Sequence, residues 1–172
     1  MVNIMKNNLK IYVIVSLLIS LLVACGKESP ATSTESTESI ESVDAALDLT
    51  WETDFEAASL QAKKAGKLML LNFTGSDWCG WCIRLDEEVF SQAEFKKYAN
   101  DALVLVELDF PRGKELDAST KAQNEALAKK YEIRGFPTIL ILSSEGELLG
   151  ETGYQRGGAV EYIEHLKQLI GQ

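Results

Sequence analysis

Leu68-Met69-Leu70-Leu71-Asn72-Phe73 is followed, after Thr74-Gly75-Ser76-Asp77, by Trp78-Cys79-Gly80-Trp81-Cys82. The first six residues form a short apolar run interrupted only by Asn72, the pattern of a strand buried on both faces. Gly75, Ser76 and Asp77 are turn formers and end it. From Cys79 to about Tyr98, the residues Ile83, Leu85, Val89, Phe90 and Phe95 recur at helical spacing. Strand, turn and helix together place Cys79 and Cys82 at the start of a helix. Two thiols three positions apart there can close into a disulfide and reopen without large chain motion. Unpaired N–H groups and the helix dipole favour an anion at that position. A thiol so placed has a pKa below its free value of about 8.5, and exchange proceeds through a mixed disulfide. On this reading Cys79 is the exposed attacker, and Cys82, one turn in and more buried, resolves the intermediate.

Working outward, Asp54 opens a helical pattern in which Phe55, Ala58, Ala62 and Ala65 share a face and Gly66 ends it. Leu103-Val104-Leu105-Val106-Glu107-Leu108 reads as a second buried strand. Residues 118–131, rich in Ala, Lys, Glu and Gln, form a helix. Thr138-Ile139-Leu140-Ile141-Leu142 and Leu148-Leu149-Gly150 flank a Ser144-Glu145-Gly146 turn, the arrangement of a hairpin. A last amphipathic helix starts at Gly158, with Val160, Ile163, Leu166 and Ile170 facing inward. The order βαβαββα after a first helix predicts an α/β domain, a central mixed sheet flanked by helices on both faces. Its extent, 50–172, is about 120 residues, enough for a core of its own.

The N-terminal quarter has a different composition. Lys6 and Lys10 precede an apolar stretch from Ile11 to Val23 that is shorter than the ~20 residues a membrane-spanning helix needs. A basic start, a short apolar core and small residues after it describe a signal peptide over 1–24. An uncleaved membrane helix is the other reading, and both put the domain outside the cytoplasm. Leu22-Val23-Ala24-Cys25 resembles the bacterial lipobox. That resemblance implies that Cys25 becomes the lipidated first residue of the mature chain, a membrane anchor on the periplasmic side of the cell envelope. Residues 25–49 hold a run of Ser, Thr and Glu with too little apolar surface to order itself, and are expected to be a disordered tether.

The chain has 172 residues, a net charge of −9 and a single histidine. Without a basic run to follow a phosphate backbone, nucleic-acid binding is not expected. Zinc also uses Cys-x-x-C, but it needs about four ligands. The domain offers Cys79, Cys82 and His165, the last read as a surface residue, so no metal and no cofactor is expected. A purely structural disulfide and a redox-inactive binding module remain as alternatives. A peroxide-reducing enzyme lacks a convincing motif.

Trp78-Cys79-Gly80-Trp81-Cys82 after one apolar strand, and Arg134-Gly135-Phe136-Pro137-Thr138 before another, resemble thioredoxin. The narrower likeness is to bacterial lipoprotein and periplasmic thioredoxin-like proteins carrying Gly-Ser-Asp-Trp-Cys-Gly-Trp-Cys, and it covers Trp51 to the C-terminus. The resemblance implies thiol–disulfide exchange on protein clients, with an upstream thiol–disulfide donor or acceptor. It implies a cis-proline at Pro137 beside the disulfide, with Phe136 next to it free to pair with a client strand. Trp78, Gly80 and Trp81 would surround the thiols, and Gly153 would allow a client to approach closely. Two positions depart from thioredoxin. Its buried strand aspartate aligns with Asn72, allowing a one-residue insertion at 74–77, and its lysine on the neighbouring strand has no counterpart in Leu103–Leu108. Asn72 cannot accept a proton from Cys82, so water, Asp77 or Glu87 is expected to do so. The segment from Phe110 to about Asp117 also lengthens the usual connection.

Overall fold

The computed structural model describes residues 48–171. The expected signal peptide, Cys25 and almost all of the expected tether lie outside the described residues. Five strands form one sheet: β1 (Trp51–Glu52), β2 (Leu68–Thr74), β3 (Leu103–Asp109), β4 (Thr138–Leu142) and β5 (Leu148–Thr152). Their order is β1-β3-β2-β4-β5. The first three are parallel, β4 runs antiparallel to β2, and β5 runs antiparallel to β4. Around the sheet lie α1 (Phe55–Ala65), α2 (Gly80–Leu85), α3 (Ala93–Ala102), α4 (Ala118–Lys130) and α5 (Gly158–Leu169).

Local chemistry sets the ends of these elements. Asp54 caps α1 by accepting from the Ala57 N–H at 3.0 Å, and Gly66 ends it at φ 64°, a conformation that suits glycine. Asp117 caps α4 in the same way through the Thr120 N–H. Alternation along the strands then divides the core. Leu70, Leu105, Ile139 and Ile141 face Phe90, Phe95, Tyr162 and Leu166 from the helices after Cys79 and from α5. Met69, Leu71, Val104, Val106, Leu140 and Leu142 face Ala58 and Ala62 of α1 and Leu127 of α4. The small residues of α1 let that helix lie close to the sheet. This is the layered α/β architecture the sequence implies.

The structure corrects several local expectations. The single helix expected from Cys79 to Tyr98 is broken: α2 runs into a π-helical turn, Asp86–Phe90, and α3 begins afresh at Ala93. An extra residue in that turn rotates the apolar stripe, so Val89 and Phe90 both reach the core while Ile83 is left 41% exposed. In α5, Tyr162 takes the core position and Val160 is exposed. The strand β1 was not anticipated, because two residues are too few to show alternation. Leu49, expected to close the tether, packs half-buried against the core. His165 is half-buried and hydrogen-bonds Thr152 Oγ1 at 2.8 Å rather than lying free at the surface.

Candidate active site

On the face of the sheet below α2, the paired residues of β2 and β3 become polar toward the strands' C-terminal ends. Leu70 lies beside Leu105, Asn72 beside Glu107, and Thr74 beside Asp109. The chain leaves β2 at this polar end and turns directly into Cys79. Cys79 is the N-cap of α2, and its Sγ accepts from the Cys82 N–H at 3.3 Å. The two cysteines form a disulfide with their Cα atoms 5.2 Å apart. Their exposures are 6% and 5%, so the expected contrast between an exposed Cys79 and a buried Cys82 is absent. The bond draws the Cys79 side chain onto the first helical turn, where it cannot project into solvent. Gly80 is the first residue of α2, and no atom stands within 4 Å of where its Cβ would be.

The Phe136–Pro137 peptide bond is cis. Its turn is tied by Thr138 Oγ1, which donates to the Gly135 carbonyl at 2.8 Å. Gly153 lies against the proline loop. A Cβ there would lie 3.0 Å from the Pro137 carbonyl oxygen, so the close approach it permits is that of its own proline loop. The Gly153 carbonyl in turn accepts from Tyr162 Oη at 3.1 Å. Burial pushes the Tyr162 phenol up, keeping it a neutral donor.

The two tryptophans differ in how they are held. Trp78 stands edge-on to Phe136 at 5.9 Å between ring centroids, and its Nε1–H donates to the Phe110 carbonyl at 2.8 Å. The Arg112 guanidinium lies 3.7 Å from its ring centroid. Trp78 is thus fixed by the lengthened loop after β3. Asp77 fastens the same loop by accepting from the backbone N–H groups of Arg112 (3.0 Å) and Gly113 (2.5 Å). These two bonds, Arg112 first, hold the Asp77 carboxyl below the usual range. Trp81 is more open, at 51% exposure, with Tyr154 5.1 Å away and the Arg84 guanidinium 5.4 Å from its ring. Trp81, Phe136, Pro137, Tyr154 and Arg156 line one shallow surface depression.

Two acidic residues near the site went unrecognised in the sequence. Asp109, 4% exposed, accepts from Ser76 N–H (2.9 Å), Ser76 Oγ (2.7 Å) and Lys114 Nζ (2.9 Å). Burial alone would raise its pKa, but these donors together hold it below the ordinary value. Glu107 is half-buried, and burial, followed by the neighbouring Asp109 charge, raises its carboxyl. Both charges were visible at the end of an apolar run, but only strand register shows what each adjoins. Cys82, Asn72, Asp86, Glu87 and Glu107 line a single cavity of about 330 Å³. Asn72 is 8% exposed, and its Oδ1 has no hydrogen-bond partner.

A dithiol–disulfide pair at a helix N-terminus, beside a cis-proline loop on a mixed sheet, defines a class of protein, and comparison with known proteins gives the same class. Residues 55–170 match the thioredoxin-like domain, and the chain belongs to that family. It is a thiol–disulfide oxidoreductase. Disulfide bond reductase DsbH of Chlamydia pneumoniae is 35% identical over 126 residues, covering 73% of this chain and 75% of that protein. Thioredoxin-related protein DsbJ of the same organism is 30% identical over 129 residues, covering 71% of this chain and 37% of its own. A solved structure of a DsbH oxidoreductase superposes with a TM-score of 0.70 at 31% identity, covering 86% of this chain and 95% of that one.

Proposed function

We propose that this domain reduces disulfides in protein clients, with Cys79 as nucleophile and Cys82 as resolving thiol, while Cys25 anchors it by lipid to a membrane outside the cytoplasm. The observation that carries the reading is the Cys79–Cys82 disulfide at the start of α2, with Cys79 as N-cap and the adjoining Trp78 edge-on to Phe136 of the cis Phe136–Pro137 turn. In the dithiol form, the Cys82 N–H that now reaches Cys79 Sγ is available to a Cys79 thiolate, and the dipole of the first turn favours that charge. The thiolate attacks one sulfur of a client disulfide, and the other client sulfur leaves as a thiolate. Cys82 then loses its proton and attacks Cys79 Sγ. The internal disulfide forms, the mixed disulfide breaks, and the client has gained two electrons.

An extended client segment laid beside Phe136 and Pro137 would bring its sulfur to Cys79 by strand addition, with Trp81 and Tyr154 as an apolar rest for its side chains. The direction of exchange is supported by the relative named a disulfide bond reductase. The location is supported by the signal-like N-terminus and the Leu22-Val23-Ala24-Cys25 ending. A thiol–disulfide partner must restore the dithiol after each cycle. Insulin reduction in the presence of a dithiol tests the activity. The protein should accelerate precipitation of the insulin B chain over the dithiol alone, and Cys79→Ser should abolish the gain. Equal rates with and without the wild-type protein would refute the proposal.

A further inference from the structure

The resolving step leaves one requirement open. Cys82 is 5% exposed, and burial beside the acidic groups of its cavity disfavours its thiolate, so attack needs a proton acceptor within reach. Asn72 has no basic atom to serve. Asp77, expected to substitute, is committed to the backbone N–H groups of Arg112 and Gly113. Asp109 is committed to Ser76 and Lys114. Glu87, the other expected substitute, and Asp86 border the same cavity but are exposed on the helical segment after Cys82. Glu107 is the half-buried carboxylate of that cavity, and among the described residues it makes no hydrogen bond or ion pair.

We propose that Glu107, on β3 beside Asn72, accepts the Cys82 proton during resolution through water in the cavity that all three residues line. This rests on the exchange reading above. The buried, unpartnered Asn72 Oδ1 supplies the second half of the argument, because a buried amide oxygen without a protein partner calls for water. A water that donates one hydrogen to Asn72 Oδ1 has its other hydrogen for the Glu107 carboxylate and a lone pair for the Cys82 S–H. The Cys82 proton passes to that water while the water's proton passes to Glu107. Cys82 then attacks Cys79 Sγ, the Cys79–client bond breaks, and the client leaves as a thiolate. The acid function has moved one strand across the sheet, and Asn72 serves as the water's anchor.

Three charged neighbours act on Glu107: Asp109 on its own strand, Lys114 in the loop beyond β3 and Asp86 after Cys82; Glu87 faces the same cavity. Burial, with Asp109 next, raises its carboxyl, so its capacity to take a proton falls as pH drops through a value above the ordinary carboxylate range. The test separates the two chemical steps on a neutral peptide disulfide across pH 5–9. Formation of the mixed disulfide is followed in a Cys82→Ser background, and resolution is followed in the dithiol protein. Glu107→Gln should leave mixed-disulfide formation within twofold of its parent, slow resolution at least tenfold near pH 7, and remove the acid-side inflection. Glu107→Asp should restore part of the rate and the inflection. Unchanged resolution in Glu107→Gln would overturn the proposal, as would equal slowing in Gln and Asp variants with the inflection intact. Absence of any mixed disulfide, in the parent as well, would instead sink the exchange reading. If Glu107→Gln fails to fold, nuclear magnetic resonance titration of Glu107 in the wild-type protein decides. Its midpoint should differ between dithiol and disulfide forms, and identical midpoints would overturn the assignment.

Discussion

Gly75→Ala tests whether Trp78 is clamped as the structure shows. A Cβ on Gly75 would stand 2.5 Å from Trp78 Cε2 and 2.6 Å from Nε1, so either the indole or the loop must move. If the indole moves, three contacts are lost together. The hydrogen bond to the Phe110 carbonyl contributes about 1 kcal/mol net. The edge-on contact with Phe136 contributes about 0.5–1.5 kcal/mol. The Arg112 guanidinium over the ring adds about 0.5–1 kcal/mol at a partly exposed site. The expected loss is therefore about 2–3.5 kcal/mol, and if the loop strains instead, overpacking costs about 1–3 kcal/mol. Gly80→Ala is the control. Its Cβ meets nothing within 4 Å, and alanine in place of glycine in a helix favours folding by about 0.5–1 kcal/mol. Urea unfolding, followed by circular dichroism with the disulfide intact, compares the two. A Gly75→Ala loss within about 0.5 kcal/mol of zero would show that Trp78 is not held between Gly75, Phe110 and Arg112.

Asn72→Asp would place a second carboxylate beside Glu107 on the neighbouring strand, and two charges about 5 Å apart, the usual strand spacing, repel by about 3 kcal/mol at an effective dielectric of about 20. The new acid's folded pKa is raised, so stability is retained below the ordinary carboxylate range and lost as pH rises through the raised value. Melts from pH 4 to pH 8 should show a steeper decline than wild type, with the resolving rate little changed because Glu107 already takes the proton. Asp109→Asn removes an acceptor with a depressed pKa and should destabilise by about 1–3 kcal/mol at pH 7. That difference should shrink as pH falls through the wild-type carboxyl's value, which the same melts extended to acid would show. Cys25→Ser should abolish incorporation of a labelled fatty acid in cells, and equal labelling would refute the anchor.

The fold was legible where a single segment carries its own pattern. The apolar runs of β2 and β4 and the Asp54 and Gly66 caps each state their conformation locally, whereas the cis bond at Pro137 was implied by the resemblance to thioredoxin. What escaped was information held between segments. Glu107 and Asp109 look like ordinary strand-end charges until register puts them beside Asn72 and Thr74 at the polar end of the sheet. Asp77 was a plausible base by position along the chain, and only the path of the loop after β3 shows that backbone donors claim it. Helical spacing placed Ile83 in the core because a π-helical turn leaves no signature in the period before it. The disulfide itself brings Cys79 and Cys82 to the same burial, which spacing alone could not tell.

Trapping of the mixed disulfide tests the central claim most directly. The reduced Cys82→Ser and Cys79→Ser proteins are mixed with a disulfide-bonded peptide, quenched in acid and weighed intact by mass spectrometry. Cys82→Ser should carry one peptide chain in disulfide linkage, mapped by proteolysis to Cys79, and Cys79→Ser should remain at its own mass. Adduct formed through Cys82 in Cys79→Ser, with none in Cys82→Ser, would contradict the assignment of Cys79 as nucleophile.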